Sequence, residues 1–252
     1  RFIKREYLVK IETKLFGKIY WRSIKDYGVI SHFFSPQVTF NNLSTDKKII
    51  IDLGANIGIE TLRFNYLFPN SKIISVEPDK ENFEILKKNT HDIKNIVILN
   101  NGVWNEDSYL KIKHKSIDNS QKISFTKAVG EDQSVKSITV SSIIKQHALN
   151  KIDIIKIDIE GYDFKAINGA KKIILKYDST VIFEFSKMIM SQHDYSIKDI
   201  DFFLQQGFKL YDIYGTEISC KDLENKIYEL DDSHNTCGNI ILSKKKLDFS
   251  FK

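Results

Sequence analysis

Ile49-Ile50-Ile51-Asp52-Leu53-Gly54-Ala55-Asn56-Ile57-Gly58 is an apolar run that ends in a carboxylate and passes into a glycine-punctuated turn. A parallel strand covered on both faces reads as such a run. Glycines directly after it let backbone approach a neighbour or a ligand closely. Helical spacing follows from about Ile57 to Leu67, and a second apolar run, Lys72-Ile73-Ile74-Ser75-Val76, ends in Glu77. The interval between Gly54 and Glu77 fits one strand–helix–strand unit. In nucleoside-binding α/β folds an acid at the second strand's tip holds the ribose hydroxyls. A nucleoside cofactor is the leading expectation.

A dinucleotide would ask for G-x-G-x-x-G, because its pyrophosphate sits against bare backbone at a helix N-terminus. Here Asn56 stands where the second glycine belongs, and Asp52 lies two residues ahead of Gly54. A carboxylate at that place repels a pyrophosphate and suits a cation. S-adenosyl-L-methionine carries a sulfonium and an ammonium and no phosphate, so the motif favours that cofactor over NAD(P).

A third segment, Lys151-Ile152-Asp153-Ile154-Ile155-Lys156-Ile157-Asp158-Ile159-Glu160-Gly161, reads as another central strand ending in acids and a glycine. Together with Asp52–Gly58 and Thr61, Val76-Glu77-Pro78, Ile167-Asn168-Gly169-Ala170 and Val181–Phe185, it resembles the FkbM family of S-adenosylmethionine-dependent methyltransferases. The resemblance runs from about Val38 to about Leu242. It implies an O-methyltransferase acting on a hydroxyl of a small molecule or glycan, such as a sugar of a bacterial surface polysaccharide or a natural product. The alternatives are an NAD(P)-dependent oxidoreductase on a Rossmann fold and a catalytically inactive cofactor-binding scaffold.

Strands are expected at Ile49–Leu53, Ile73–Val76, Ile96–Leu99, Ile154–Ile157, Val181–Phe185, Phe208–Tyr214 and Gly238–Leu242. Helices are expected near Ile57–Leu67, Asp79–Asn89, from Ser141 or Ser142 to His147, Phe164–Leu175 and Ile197–Gln206. Tyr109–Lys113 and the stretch to Ser137 read as short paired strands or loop. Alternating strands and helices imply a doubly wound, mostly parallel sheet. The expectation is a seven-stranded, Rossmann-like class I methyltransferase fold over residues 38–252, after an N-terminal helical extension over 1–37. In that extension Leu8, Ile11, Leu15 and Ile19 recur at helical spacing, with Lys4, Arg5, Lys10, Lys14, Lys18 and Arg22 on other faces. Such a basic amphipathic helix packs on the domain, joins a homodimer or touches an anionic membrane surface.

Ligands of such sheets bind beyond the carboxyl ends of the strands, where Asp52, Glu77, Asn100-Asn101-Gly102, Asp158, Glu160 and Glu184 all fall. Glu77 is the expected ribose acceptor. Gly54, Ala55, Asn56 and Gly58 shape the turn, with Asn56 lining the methionine end. Asp52 orients the loop or meets the cofactor ammonium. Thr61 and Pro78 belong to the matched motifs. Asn101, Gly102 and Val103 lie where adenine edges are read, and Phe83 packs near adenine or in the core. Asp158 and Glu160, at i and i+2, converge on one pocket while the strand lasts. Asp158 takes the cofactor-facing catalytic role and Glu160 the substrate hydroxyl; His147 and His193 are other candidate bases.

The 42% hydrophobic and 28% charged fractions are those of an ordinary globular protein. No apolar run approaches the ~20 residues of a membrane span, and no secretory signal is visible, so a cytoplasmic protein is expected. The net charge of +5 comes from lysine; the arginines are Arg1, Arg5, Arg22 and Arg63. Nucleic-acid readers favour arginine, so no nucleic-acid partner is expected. Cys220 and Cys237 form no Cys-x-x-Cys pair, no metal is expected, and free thiols suit a cytosolic protein.

Overall fold

The computed structural model describes residues 8–13, 16–22, 26, 39–40, 47–117, 120–127, 134–159, 162–185, 198–212, 215–223, 238–245 and 249–250. β1 (Leu8–Thr13) and β2 (Gly17–Arg22) pair antiparallel, with Thr13 opposite Gly17. β3 (Thr39–Phe40) is short. β4 (Ile49–Leu53) leads through the glycine turn into α1 (Ile59–Leu67), β5 (Lys72–Val76), α2 (Lys80–Thr90) and β6 (Ile96–Leu99). A second sheet follows from β7 (Gly102–Val103), β8 (Tyr109–Ile117), β9 (Ser120–Lys127) and β10 (Ser134–Ile138). Then come α3 (Val140–Gln146), β11 (Ile154–Ile157), α4 (Asp163–Tyr177), β12 (Thr180–Phe185), α5 (Lys198–Gln205), β13 (Lys209–Tyr211), β14 (Glu217–Ile218), β15 (Gly238–Ser243) and β16 (Phe249–Ser250), which pairs with β3.

The main sheet has eight strands in the order β14-β13-β15-β12-β11-β4-β5-β6. Neighbours from β12 to β6 are parallel, and β15 lies antiparallel between β12 and β13. All seven expected strands are present within a residue or two at their starts, and the two-residue β14 adds an eighth. β4 reads as an apolar run because both faces are covered. Ile51 and Leu53 join the α4 side of the core, while Ile50 packs on the other with Phe64 of α1 and with Phe68, which caps that helix. Each such buried side chain contributes roughly 1.5–3 kcal/mol.

The helix starts carry their own signals. The Asp79 carboxylate accepts the Asn82 N–H at 2.9 Å and caps α2, whose last turn holds Lys87 and Lys88, as the helix dipole favours. Thr139, rather than Ser141 or Ser142, caps α3, accepting the Ser142 N–H at 3.0 Å.

The expected helix over Leu8–Arg22 is not formed: among the described residues, 8–13 and 17–22 are a hairpin. Val9, Ile11, Thr13, Ile19, Tyr20 and Trp21 are β-branched or aromatic residues that fit a pleated surface better than a helix. Gly17 takes the left-handed φ of +67° directly after the turn. The apolar side chains of the hairpin pack with Ile57, Ile59, Leu62 and Ile85, so their spacing serves a docked ribbon and not a helix face. The membrane-surface helix falls with it. Residues 1–7 and the boundary at 37–38 lie outside the described residues.

Candidate cofactor and active site

From β4 the chain moves outward through β5 and β6, then returns with β11 on the other side of β4. The switch point between β4 and β11 is where such sheets bind ligands. Asp52, Glu77 and Asp158 stand at that rim.

The turn after β4 is held in the left-handed region at Gly54 (φ +82°), Asn56 (φ +50°) and Gly58 (φ +94°). A Cβ on Gly54 would lie 1.9 Å from the Asp158 carbonyl oxygen, so only a bare α-carbon lets the tips of β4 and β11 come this close. At Gly58 a Cβ would meet the Leu86 side chain at 2.7 Å. The amides of Gly54, Ala55, Asn56 and Gly58 are engaged within the protein. Gly54 and Ala55 both donate to the Val76 carbonyl at 2.9 and 3.0 Å, and Gly58 donates to the Ala55 carbonyl. Asn56 donates its N–H to Glu77 Oε2 at 2.7 Å. Pyrophosphate needs converging N–H groups, and these four point elsewhere.

Asp52 is fully buried. Its Oδ2 accepts the Thr61 hydroxyl at 2.6 Å, and Thr61 is 2.9 Å from Ser75 Oγ. Asp52 lies opposite Ser75 on β5 and opposite Lys156 on β11, so the three share one face of the sheet. Lys156 is 4% exposed and donates from Nζ to Asp158 Oδ2 at 2.8 Å. Burial works to lower the pKa of Lys156, but Asp158 and Asp52 outweigh it and hold the ammonium charged beyond the ordinary lysine range. Burial pushes Asp52 up to about 6, against the pull of Lys156 and Thr61.

Glu77 is 3% exposed. Besides Asn56, the Asp79 N–H donates to its Oε1 at 2.9 Å, and Asn82 Nδ2 approaches the same oxygen at 3.4 Å. Burial pushes the Glu77 carboxyl up to about 7, while these donors favour its charge. Asn100 Nδ2 donates to the carbonyls of Glu77 and Pro78 at 2.8 and 3.1 Å, fixing the strand exit.

The expected adenine readers are placed differently from one another. The Asn101 amide donates to the Lys136 carbonyl at 3.0 Å, binding the two sheets together. Gly102 and Val103 are buried in β7, and a Cβ on Gly102 would meet Leu110 at 2.7 Å. Phe83 is half-buried in the first turn of α2. His147 ends α3, where its carbonyl accepts from Lys72, the first residue of β5. That is the amino end of the sheet, which removes His147 as a base. Glu160, Gly161, His193 and Cys237 lie outside the described residues.

Several site groups carried no role in the sequence reading. Lys156 looked like one more strand residue, although a lysine between isoleucines in a doubly covered strand needs acids beside it. Asp163 is buried at the start of α4, its pKa raised by burial and then by Asp158 and Glu184. Trp104 and Tyr162 pack with ring centroids 5.2 Å apart and planes tilted by 50°, with the Lys165 ammonium 4.0 Å over the indole. Among the described residues no group of three or more His, Cys, Asp or Glu side chains is placed to hold a metal ion.

Two buried atoms test the fit of S-adenosyl-L-methionine: Asp52 Oδ1 and Asn56 Oδ1 have no hydrogen-bond partner among the described residues. Acceptors beside a turn whose amides are engaged suit an ammonium and disfavour a phosphate.

The strand order and the acid-bearing glycine turn define the class I fold of S-adenosylmethionine-dependent methyltransferases. Residues 52–210 match the family model described as "Methyltransferase FkbM domain". The chain belongs to the FkbM methyltransferase family, and S-adenosyl-L-methionine is that family's cofactor. A solved FkbM methyltransferase from Methylobacillus flagellatus KT shares the fold. Its TM-score is 0.50 at 14% identity, over 81% of this chain and 47% of that one. Ribosomal RNA small subunit methyltransferase G of Prochlorococcus marinus (strain MIT 9312) is 29% identical over 127 residues, 48% of this chain and 51% of that protein. Methyltransferase 1 of Beauveria bassiana (strain ARSEF 2860) is 23% identical over 146 residues, 49% and 59% of the respective chains. The chain thus spans about half the length of the curated relatives it matches. No helix among the described residues is long and apolar enough to cross a membrane.

Proposed function

We propose that this protein is an S-adenosylmethionine-dependent O-methyltransferase whose acceptor is a hydroxyl of a small molecule or glycan, such as a sugar of a bacterial surface polysaccharide or a natural product. The observation that carries the reading is the glycine turn. The Gly54, Ala55 and Asn56 amides are engaged with Val76 and Glu77, and the bare acceptors at the turn and the strand before it belong to Asn56 and Asp52. This arrangement favours a cationic nucleoside and argues against the NAD(P)-dependent alternative.

Asp52 and Asn56 would hold the methionine end, Glu77 the ribose hydroxyls, and Gly54, Ala55, Gly58, Thr61 and Pro78 the surrounding backbone. Asn101, Gly102 and Val103 are assigned to the adenine side through backbone atoms. The cofactor supplies a methyl group made electrophilic by the sulfonium. Asp158, paired with Lys156, would border the transferred methyl, and Glu160 would orient the acceptor hydroxyl and take its proton. Transfer then needs an in-line approach, which positioning supplies. Trp104 and Tyr162 present aromatic surface at the same rim, and the C–H faces of a sugar pack well on aromatic rings. We assign the protein to the cytoplasm, where its cofactor is made.

Calorimetric titration tests the cofactor: S-adenosylhomocysteine should bind and NAD should not. Radiolabelled methyl transfer to a panel of sugars, hydroxylated natural products and ribosomal RNA fragments tests the acceptor. Label in RNA alone would replace the glycan reading, and binding without transfer to any acceptor would favour the inactive scaffold.

A further inference from the structure

The hairpin that replaces the expected helix ends against the candidate cofactor site. Arg22, the last residue of β2, is 8% exposed and ion-pairs with Asp26 at 2.7 Å. Its Nη2 also donates to Asn82 Oδ1, and Nη1 reaches Glu81 at 3.3 Å. Arginine has donors and no acceptor, so it fixes which end of the Asn82 amide faces it. The Oδ1 must point to Arg22, and the Nδ2 is left to point to Glu77 Oε1 at 3.4 Å. If the amide turned over, an oxygen would face a buried carboxylate.

Two residues earlier on the same strand, Tyr20 is held in a parallel way. Its N–H donates to Asn89 Oδ1 at 2.7 Å and its carbonyl accepts from Asn89 Nδ2 at 3.0 Å. The same Nδ2 reaches the Ile57 carbonyl in the glycine turn at 2.7 Å. The backbone edge of β2 at Tyr20 and the Arg22 side chain thus grip both halves of the site through two asparagines of α2.

We propose that the N-terminal hairpin is a positioning element for cofactor binding, with Arg22 orienting the Asn82 amide so that it donates to Glu77 and aims that carboxylate at the ribose hydroxyls. The inference rests on the reading of Glu77 as the ribose acceptor.

The test compares S-adenosylhomocysteine with its analogue lacking both ribose hydroxyls, by calorimetry, in wild type, Glu77→Gln, Arg22→Gln and Asn82→Ala. Wild type should prefer the hydroxyl-bearing ligand. Arg22→Gln and Asn82→Ala should shrink that preference roughly three- to tenfold, the size of an ordinary net hydrogen bond, while leaving the analogue's affinity unchanged. Combined with Glu77→Gln they should add nothing further, because they act through it. If Arg22→Gln lowers the folded fraction, Asn82→Ala keeps the Arg22–Asp26 pair and carries the test. Equal weakening of both ligands, or no change beside a clear loss in Glu77→Gln, overturns the positioning role. An unchanged preference in Glu77→Gln overturns the ribose reading and the inference together.

Discussion

The two sides of the rim hold their carboxylates by different means. On the β4–β5 side, Glu77 is fixed by the backbone N–H groups of Asn56 and Asp79, which carry no net charge and cannot move without the fold. Across β11 and β4, the buried Lys156 ammonium faces the part-exposed Asp158 and the buried Asp52, and the order depends on opposite charges. Dipoles fixed in the backbone tolerate a change of protonation; a charge pair loses its reason when either partner is neutralised. On the proposed reading, Glu77 would thus keep its aim through fixed dipoles, while Asp158 would keep its place through the Lys156 charge.

The largest contrast should come from Lys156→Met. It removes the cation that faces Asp52 and Asp158; Asp158 is part-exposed and keeps some water, so the cost is on the order of 3 kcal/mol, the low end for a broken buried pair. Chemical denaturation should show this loss, and a stability within error of wild type would mean that the pair contributes no net order. Gly54→Ala attacks the contact between the two sides. The new methyl meets the Asp158 carbonyl at 1.9 Å in a left-handed residue, so overpacking and strain together should cost roughly 2–4 kcal/mol. Normal melting of this variant would show that the strand tips can part freely.

Glu77→Gln should leave melting closer to wild type but weaken S-adenosylhomocysteine binding by about ten- to a hundredfold, as loss of hydrogen bonds to a charged acceptor does. Unaltered affinity would remove the ribose contact from the reading. The smallest effect is protonic. The Glu77 carboxyl titrates near 7 in the folded chain, above its ordinary 4.5. A raised carboxyl pKa means that the folded state holds this proton more tightly, so its contribution to stability falls as pH rises from 4.5 to 7. Ribose hydroxyls that donate to the carboxylate lower the pKa again. Binding should then release a fraction of a proton near pH 6.5, and affinity should rise with pH up to about 7. Binding enthalpies in buffers of different ionisation heat would read this release, and Glu77→Gln should abolish its Glu77 share.

The main sheet was legible because β4, β5 and β11 are covered on both faces and leave isoleucine-rich runs, each closed by an acid. Glu77 and Asp52 were legible because those acids sit at strand ends. The hairpin was not. Leu8, Ile11, Leu15 and Ile19 fit a helical stripe, while the β-forming residues between them and Gly17 carried the opposite signal; tertiary packing against Ile57 and Ile85 decided between them. Lys156 was passed over because a strand lysine usually extends to solvent, and only the register that sets it opposite Asp52 reveals its role. Arg22 and Asn82 are far apart in sequence, so no local spacing could announce their contact.

The hairpin keeps a small apolar cluster of its own around Ile19, Ile57, Ile59, Leu62 and Ile85, apart from the two clusters that line the main sheet. Elements with a separate, modest core open more readily than the sheet they rest on. Each opening would uncover the amides of Tyr20 and Arg22 to solvent exchange while β4 and β11 stayed protected. It would also loosen the glycine turn from below, so the rate at which the hairpin exchanges its amide hydrogens would keep time with how often the candidate site is ready.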